Sequence, residues 1–156
     1  MATFTRETVF EAPLEQVWDL HTTGNGLVRL TPSFVNLRIE AVRGGEVDEP
    51  LPEGAEIDVS THVLELGPRD HWTSVVTDVQ RSEDTALFRD EMRDGFFDHW
   101  VHTHRFERVF EGETLMRDHI EYELPMPAGL VSPLATVGLA PLFRYRHWAA
   151  RQILEP

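Results

Sequence analysis

The fold is decided by one stretch of the chain, which has the sequence FDHWVHTHRF at residues 97–106. Successive side chains of a β-strand point to opposite faces, so a strand here would place two histidines between aromatic residues on one face. That face carries Trp100, His102, His104 and Phe106, and the other carries His99, Val101, Thr103 and Arg105. If the aromatic face turns inward, the two histidines belong either to a structural core or to the floor of a pocket.

Length and composition indicate one globular domain. The chain has 156 residues, 41% of them apolar, and we expect a single domain over residues 1–156 with a substantial core. It has no cysteine, which excludes disulfides, thiolate metal sites and a thiol nucleophile. The longest mainly apolar stretch, residues 130–143, has 14 residues including two prolines and is too short to span a bilayer. We therefore expect a cytoplasmic protein, monomeric or homodimeric, without stable membrane insertion.

The net charge is strongly negative, and the cationic side chains are all of one type. The formal net charge is −13, and all 14 cationic side chains are arginines. Such a field repels phosphate backbones and anionic lipid surfaces, so we expect no nucleic-acid partner. One interpretation is adaptation to high salt, because at ~1 M salt the Debye length is roughly 3 Å and self-repulsion is screened. The other is a genomic base composition that favours arginine codons over lysine codons.

Alternation and turn residues predict a strand, two short helices, six further strands and one long helix. The first helix starts at Pro13 and ends before Gly24, and the second covers about residues 27–30. The long helix has Ser132 as its expected N-cap, Pro133 at its first position and a kink or break at Pro141. The predicted strands are 3–11, 36–42, 56–63, 71–81, 86–93, 97–106 and 114–124. Consecutive antiparallel strands with grouped helices indicate an α+β fold, in which a curved sheet of seven strands wraps around the C-terminal helix.

The register of the last hairpin predicts which face is buried. A three-residue turn at Glu111–Glu113 would place Phe106 opposite Asp118, His104 opposite Ile120, His102 opposite Tyr122 and Trp100 opposite Leu124. Directly opposed residues share a face, so the histidines join a mainly apolar set that also contains Met116. The reverse face is rich in arginine and glutamate. We therefore predict that the face with the histidines is the inner one.

The register of the strand 86–93 has two solutions. A two-residue turn at Asp94-Gly95 would turn Leu87, Arg89 and Glu91 inward. A three-residue loop would turn inward a more apolar set, which we prefer: Ala86, Phe88, Asp90 and Met92. A slip of one residue reverses the choice.

Five short segments, in this order and spacing, resemble one protein superfamily. They are APLEQVW at 12–18, LTP at 30–32, FRDE at 88–91 with GFF at 95–97, WVHTHRF at 100–106 and LFRYRH at 142–147. The chain resembles the START/Bet v 1-like (helix-grip, SRPBCC) superfamily, in its polyketide cyclase/dehydrase-like group, over nearly its whole length. The resemblance implies a seven-stranded antiparallel sheet that grips the C-terminal helix, two short helices between strands one and two, and a cavity for hydrophobic ligands. It does not imply one chemistry.

We expect the cavity to bind a small hydrophobic molecule, as a carrier or sensor would, with no cofactor and no metal ion. The expected ligand-binding residues are Trp18, Phe34, Phe88, Asp90, Trp100, His102, His104, Phe106, Met116, Tyr122, Leu139 and Phe143. The first alternative is a cyclase/dehydrase-like enzyme with His102, His104 and Asp118 as its catalytic groups, and with Tyr122 or the second histidine as oxyanion donor. The second alternative is an interaction protein that acts through its surface and has no ligand cavity.

The two histidines on one strand face are open to four interpretations. They could anchor a hydroxyl or carbonyl of the ligand, act as acid and base, satisfy buried partners structurally, or bind a metal ion. No spacing signature such as H-E-x-x-H supports the metal. Asp118 should lie inward, where a carboxylate needs a partner, and Arg108 is its expected structural partner.

Overall fold

A computed structural model describes residues 1–125 and 128–156, and the side chains of residues 1–125 and 138–156. The strands are β1 (Ala2–Phe10), β2 (Arg38–Arg43), β3 (Glu56–Thr61), β4 (Asp70–Arg81), β5 (Thr85–Arg93), β6 (His99–Phe110) and β7 (Glu113–Glu123). The helices are α1 (Leu14–Thr22), α2 (Gly24–Arg29) and α3 (Ala128–Leu154). Short 3-10 turns occur at Ser33–Val35 and Val63–Glu65.

The strands form one seven-stranded antiparallel sheet in the order β1-β7-β6-β5-β4-β3-β2. Each strand from β2 to β6 pairs with the next strand in the chain, and β1 pairs with β7 at one edge of the sheet. The helices α1 and α2 lie between β1 and β2, and α3 packs on the inner face of the sheet against β1 and α1. This confirms the predicted α+β helix-grip architecture.

A capping residue, Thr23, and a glycine, Gly26, determine how α1 and α2 meet. α1 buries Val17, Trp18 and His21, which repeat at the helical spacing. Thr23 ends α1 and caps α2, since its Oγ1 accepts a hydrogen bond from the backbone N–H of Gly26 at 3.0 Å. A Cβ at Gly26 would lie 1.7 Å from the carbonyl oxygen of Leu20, so only glycine lets the two helices approach so closely.

The long helix begins earlier than predicted and is not broken at Pro141. α3 begins at Ala128, so Ser132 and Pro133 lie inside it and not at its start; their side chains lie outside the described residues. Pro141 does not divide it, because α3 is one element through Leu154.

The predicted register of the β6–β7 hairpin is wrong by two residues. The structure pairs Phe106 with Met116, His104 with Asp118, His102 with Ile120 and Trp100 with Tyr122. The turn contains only Glu111 and Gly112, because Phe110 pairs with Glu113, and a bulge follows between Arg108 and Phe110. Each change moves the partner by one residue. Because their sum is even, the inner face keeps its predicted members.

The preferred inner face of β5 is confirmed. Ala86, Phe88 and Asp90 pair with Phe106, His104 and His102 respectively, so they share the inner face with the histidines. The connection to β6 covers residues 94–98 and is longer than the predicted three-residue loop. Asp94 adopts a left-handed backbone with φ 57°, which begins this connection.

Candidate functional site

A cavity of about 790 Å³ lies between the inner face of the sheet and the helices. This volume is in the range of sites that hold small molecules, roughly 300–1,000 Å³. Helix α3 contributes Leu139, Leu142, Phe143 and Arg146, and α1 contributes His21. Most of the remaining wall is apolar, with Leu27, Val35, Leu37, Leu51, Ile57, Trp72, Val76, Phe88, Met92, Phe96, Phe97, Trp100 and Leu124.

Seven of the residues predicted to bind ligand line this cavity: Phe88, Asp90, Trp100, His102, His104, Leu139 and Phe143. Four others are buried in the packed layers around it: Trp18, Phe106, Met116 and Tyr122. Trp18, for example, packs edge-on against Phe88 and Phe106. Phe34 is 55% exposed and lies outside the cavity, because the 3-10 turn at Ser33–Val35 turns the neighbouring Val35 toward the cavity instead.

Asp118 is the centre of a buried polar network behind the cavity wall. Its side chain is 2% exposed. One carboxylate oxygen, Oδ1, accepts a hydrogen bond from Nε2 of His102 at 2.8 Å. The other, Oδ2, lies 2.5 Å from Nε2 of His147 on α3. The carboxylate therefore links β7 to β6 and to the long helix.

His104 adds a third histidine to this network. Its Nδ1 lies 2.9 Å from Oδ1 of Asp118, at an angle outside hydrogen-bond geometry. Its Nε2 lies 3.7 Å from Oδ2 of Asp90, and Oδ1 of Asp90 accepts a hydrogen bond from the hydroxyl of Ser74 at 3.2 Å. The rings of His102 and His104 have centroids 3.8 Å apart. The network thus extends from α3 through β7 and β6 to β5 and β4.

The expected pairing of Asp118 with Arg108 is wrong. The Arg108 side chain is 42% exposed, and its Nε lies 3.5 Å from Asp84 Oδ1 at the outer edge of the sheet. Asp118 pairs with His104 and not with Phe106, so it lies four residues along the hairpin from Arg108, which pairs with Thr114.

The network sets the charges of its members. Burial by itself would lower the pKa of His104, but attraction to Asp118 and Asp90 outweighs it and raises this pKa to about 9. Burial would likewise raise the pKa of Asp118, but the charge of His104 and the hydrogen bonds from the histidines hold it well below its usual range. Burial lowers the pKa of His102, and so does the neighbouring cationic His104. At neutral pH Asp118 is therefore ionised, His104 is cationic and His102 is neutral.

Among the cavity-lining residues that the prediction missed are His21 and Arg146. His21 Nδ1 lies 2.7 Å from the carbonyl oxygen of Val17, so this nitrogen carries the proton, and burial lowers the pKa of His21 to about 3. Arg146 lies with its guanidinium 5.6 Å from the centre of the Phe143 ring, and burial lowers its pKa. His147, behind the wall, was also missed. Its spacing of four residues from Phe143 was the available signal, since residues i and i+4 share a helix face.

The fold and the cavity together define the class of the protein. A seven-stranded antiparallel sheet that grips a C-terminal helix, with two short helices after the first strand, is the architecture of the START/Bet v 1-like superfamily. A family model described as "Polyketide cyclase / dehydrase and lipid transport" matches residues 10–144. The chain belongs to this family.

Solved structures with the same fold have low sequence identity to this chain. A protein from Arthrobacter aurescens is 18% identical, with a TM-score of 0.71 over 99% of this chain and 87% of that one. Norcoclaurine synthase from Thalictrum flavum, in complex with dopamine and hydroxybenzaldehyde, is 16% identical, with a TM-score of 0.65 over 99% and 87%. Ara h 8.0201 is 12% identical, with a TM-score of 0.60 over 95% and 97%. At these identities the similarity establishes the fold alone.

Two further comparisons are negative. A search of curated proteins finds no match to this chain. Within residues 1–125 and 128–156, no helix combines the length and the apolarity needed to cross a membrane.

Proposed function

We propose that the protein binds a small, largely hydrophobic molecule in the cavity between the sheet and α3, as a carrier or sensor. The observation that carries this proposal is a cavity of about 790 Å³ whose wall is mainly apolar and also contains polar side chains, among them Asp90, His102 and His104. A purely surface-mediated role predicts that the protein has no cavity of ligand size. The cavity described above therefore disfavours that alternative.

The polar part of the cavity supports a ligand with at least one oxygen-containing group. Asp90, His102, His104 and Arg146 all line the cavity, and they offer both donors and an acceptor. A hydroxyl or carbonyl of the ligand would bind here, while its apolar body contacts residues such as Ile57, Val76 and Leu139 on the remaining wall. A few oriented polar groups in an apolar site fix the direction in which a ligand binds.

Native mass spectrometry of protein purified at high salt is the first test of this proposal. We expect a retained small molecule, or uptake of a hydrophobic fluorescent probe in a 1:1 ratio. The cavity variant is Leu142→Trp, which places a larger side chain in the wall. The matched control is Arg144→Trp, on the exposed side of the same helix.

The proposal predicts that Leu142→Trp weakens probe binding at least tenfold and that Arg144→Trp leaves it unchanged. Equal affinity in both variants would contradict a site between the sheet and α3. Circular dichroism of the two variants confirms that both are folded before the affinities are compared.

A second candidate function, a cyclase- or dehydrase-like enzyme, is favoured by the pairing of His102 with Asp118. A histidine held by a buried carboxylate, with its ring at the wall of a ligand cavity, is the arrangement that general acid–base catalysis requires. The test is a cyclisation, dehydration or hydrolysis rate measured in His102→Ala and His104→Ala. A rate that falls by a factor of roughly 10²–10⁴ in folded variants would support the enzyme, and an unchanged rate would remove this candidate.

A further inference from the structure

We propose that Asp90, His102 and His104 form a binding site for a divalent transition-metal ion at the polar part of the cavity. This inference is independent of the identity of the hydrophobic ligand. The residues come from two adjacent strands, since Asp90 pairs directly with His102, and His104 lies two positions further along β6 on the same face. Each can supply one donor atom, and these atoms all lie within 4.8 Å of one another.

The separation of Asp90 and His104 fits two ligands of one ion better than it fits a hydrogen bond. Oδ2 of Asp90 and Nε2 of His104 lie 3.7 Å apart, which is beyond hydrogen-bond distance. Bonds of about 2.1 Å from one ion to a nitrogen and an oxygen, at roughly tetrahedral to trigonal angles, place those atoms about 3.4–3.6 Å apart. The observed gap is therefore close to the size that an ion would fill.

Asp118 holds the imidazole of His102 by a hydrogen bond, as metal sites require, and lies beside the imidazole of His104. It contacts Nε2 of His102 and Nδ1 of His104 at 2.8 and 2.9 Å. The nitrogens that remain for an ion are therefore Nδ1 of His102 and Nε2 of His104. Histidine ligands commonly have their second nitrogen held by a carboxylate, which fixes the ring and raises its basicity. His147 secures that carboxylate in turn from α3.

The carboxylate of Asp90 is also held in place by a hydrogen bond. The hydroxyl of Ser74 donates to its Oδ1 at 3.2 Å, while Oδ2 is the oxygen nearer to His104. One oxygen is thus held by the protein and the other is directed at the gap between the three residues. The carboxylate and its two histidine neighbours also line the cavity, so further coordination positions of an ion would face a water molecule or an oxygen of the ligand.

The charge of the cluster suits a divalent cation. Asp90 and Asp118 are two largely buried carboxylates within one network, and buried negative charge must be compensated nearby. A divalent ion provides this compensation in place of a proton on the imidazole. Two imidazole nitrogens and one carboxylate oxygen form a ligand set that suits Zn²⁺, Co²⁺ and other late first-row ions.

The direct test uses Co²⁺ and Zn²⁺ alone as probes. Protein treated with a chelator is titrated with Co²⁺, and visible absorption reports ligand-field bands while calorimetry with Zn²⁺ gives the affinity. We expect one ion per chain in the wild type and at least a hundredfold weaker binding in Asp90→Asn and His104→Gln. Asp118→Asn removes an orienting carboxylate and should weaken binding by a factor of roughly 10–100. The control is His99→Gln, on the outer face of the same strand, which should bind like the wild type.

Two results would overturn the metal site. One is the absence of Co²⁺ and Zn²⁺ binding to the wild type at submillimolar concentration, and the other is equal affinity in the wild type, Asp90→Asn and His104→Gln. If those variants do not fold, X-ray absorption of the Zn²⁺-loaded wild type decides instead. Two imidazoles at about 2.0 Å support the site, and a shell without imidazole contradicts it. Probe binding by the chelator-treated protein tests the hydrophobic cavity separately, so the failure of one proposal is distinguishable from the failure of the other.

Discussion

Both faces of the β6–β7 hairpin carry ionic contacts, which are exposed on the outer face and buried on the inner face. On the outer face, Arg117 of β7 forms an exposed ion pair with Glu7. One residue further along the chain, on the inner face, Asp118 is almost fully buried and contacts three histidines. Exposed ion pairs contribute roughly 0–1 kcal/mol, whereas breaking a buried one costs about 3–5 kcal/mol. Acidic residues are common throughout this chain, and it is burial that separates the candidate site from the solvated surface.

Loss of Asp118 should have the largest effect on stability. Asp118→Ala removes the acceptor shared by the histidines of the network and leaves cationic His104 with Asp90 as its remaining carboxylate partner. We expect the free energy of unfolding to fall by about 3–5 kcal/mol. Guanidinium unfolding at one fixed ionic strength measures it, and a loss below 1 kcal/mol would show that the network is not a buried ionic one.

Loss of His147 should have the next largest effect. His147→Ala breaks the link from α3 to the carboxylate of Asp118, but His102 still donates to that carboxylate. We expect a loss of roughly 1–3 kcal/mol, since a buried acceptor loses one of its donors. The matched control is Trp148→Ala, whose side chain is 54% exposed and which should change stability by about 0.5 kcal/mol or less. Equal effects of the two variants would contradict the role of His147.

Salt should affect the outer face and leave the buried network largely unchanged. We propose that the charge of −13 reflects adaptation to high salt. Lowering the salt from ~1 M to ~0.1 M lengthens the Debye length from roughly 3 to 10 Å. The repulsion between the negative side chains of the protein is then screened less. We expect the unfolding free energy to fall by on the order of 1 kcal/mol, which for this size is a Tm lower by about 2–4 °C. A Tm independent of salt would favour the explanation from genomic base composition.

The smallest effect is expected for the exposed pair. Arg117→Ala should change the unfolding free energy by less than about 1 kcal/mol, because the side chains of both partners are close to half exposed. The change should shrink further at high salt. A loss as large as that of Asp118→Ala would mean that exposure does not distinguish the two faces of the hairpin.

Sequence periodicity was enough to assign faces but not registers or partners. The alternation around His102 and His104 assigned the inner face of β6 correctly, because a register shift of two residues leaves every side chain on the same face of the sheet. The bulge beside Arg108 left no sequence signal and, together with the shorter turn, moved the register by two residues. This shift places Asp118 opposite His104, four residues along the hairpin from Arg108.

The contributions of other elements to the site were not predictable from strand patterns. His21 and His147 lie on helices, and their approach to the cluster depends on how α1 and α3 pack on the sheet. Phe34, in contrast, was predicted to line the cavity but lies outside it. Its type suggested a cavity wall, but a 3-10 turn of three residues decides by backbone geometry which side chain faces inward.

The most direct test of the central claim is a methyl NMR titration of the protein with its retained ligand or with a hydrophobic probe. If the ligand binds between the sheet and α3, the methyl signals of Ile57, Val76 and Leu139 will shift, because these residues line the cavity. The methyls of Val9 and Val109, which are exposed at 43% and 44%, will stay in place. Shifts confined to the exposed methyls, with the cavity methyls unchanged, would contradict a ligand-binding cavity in this protein.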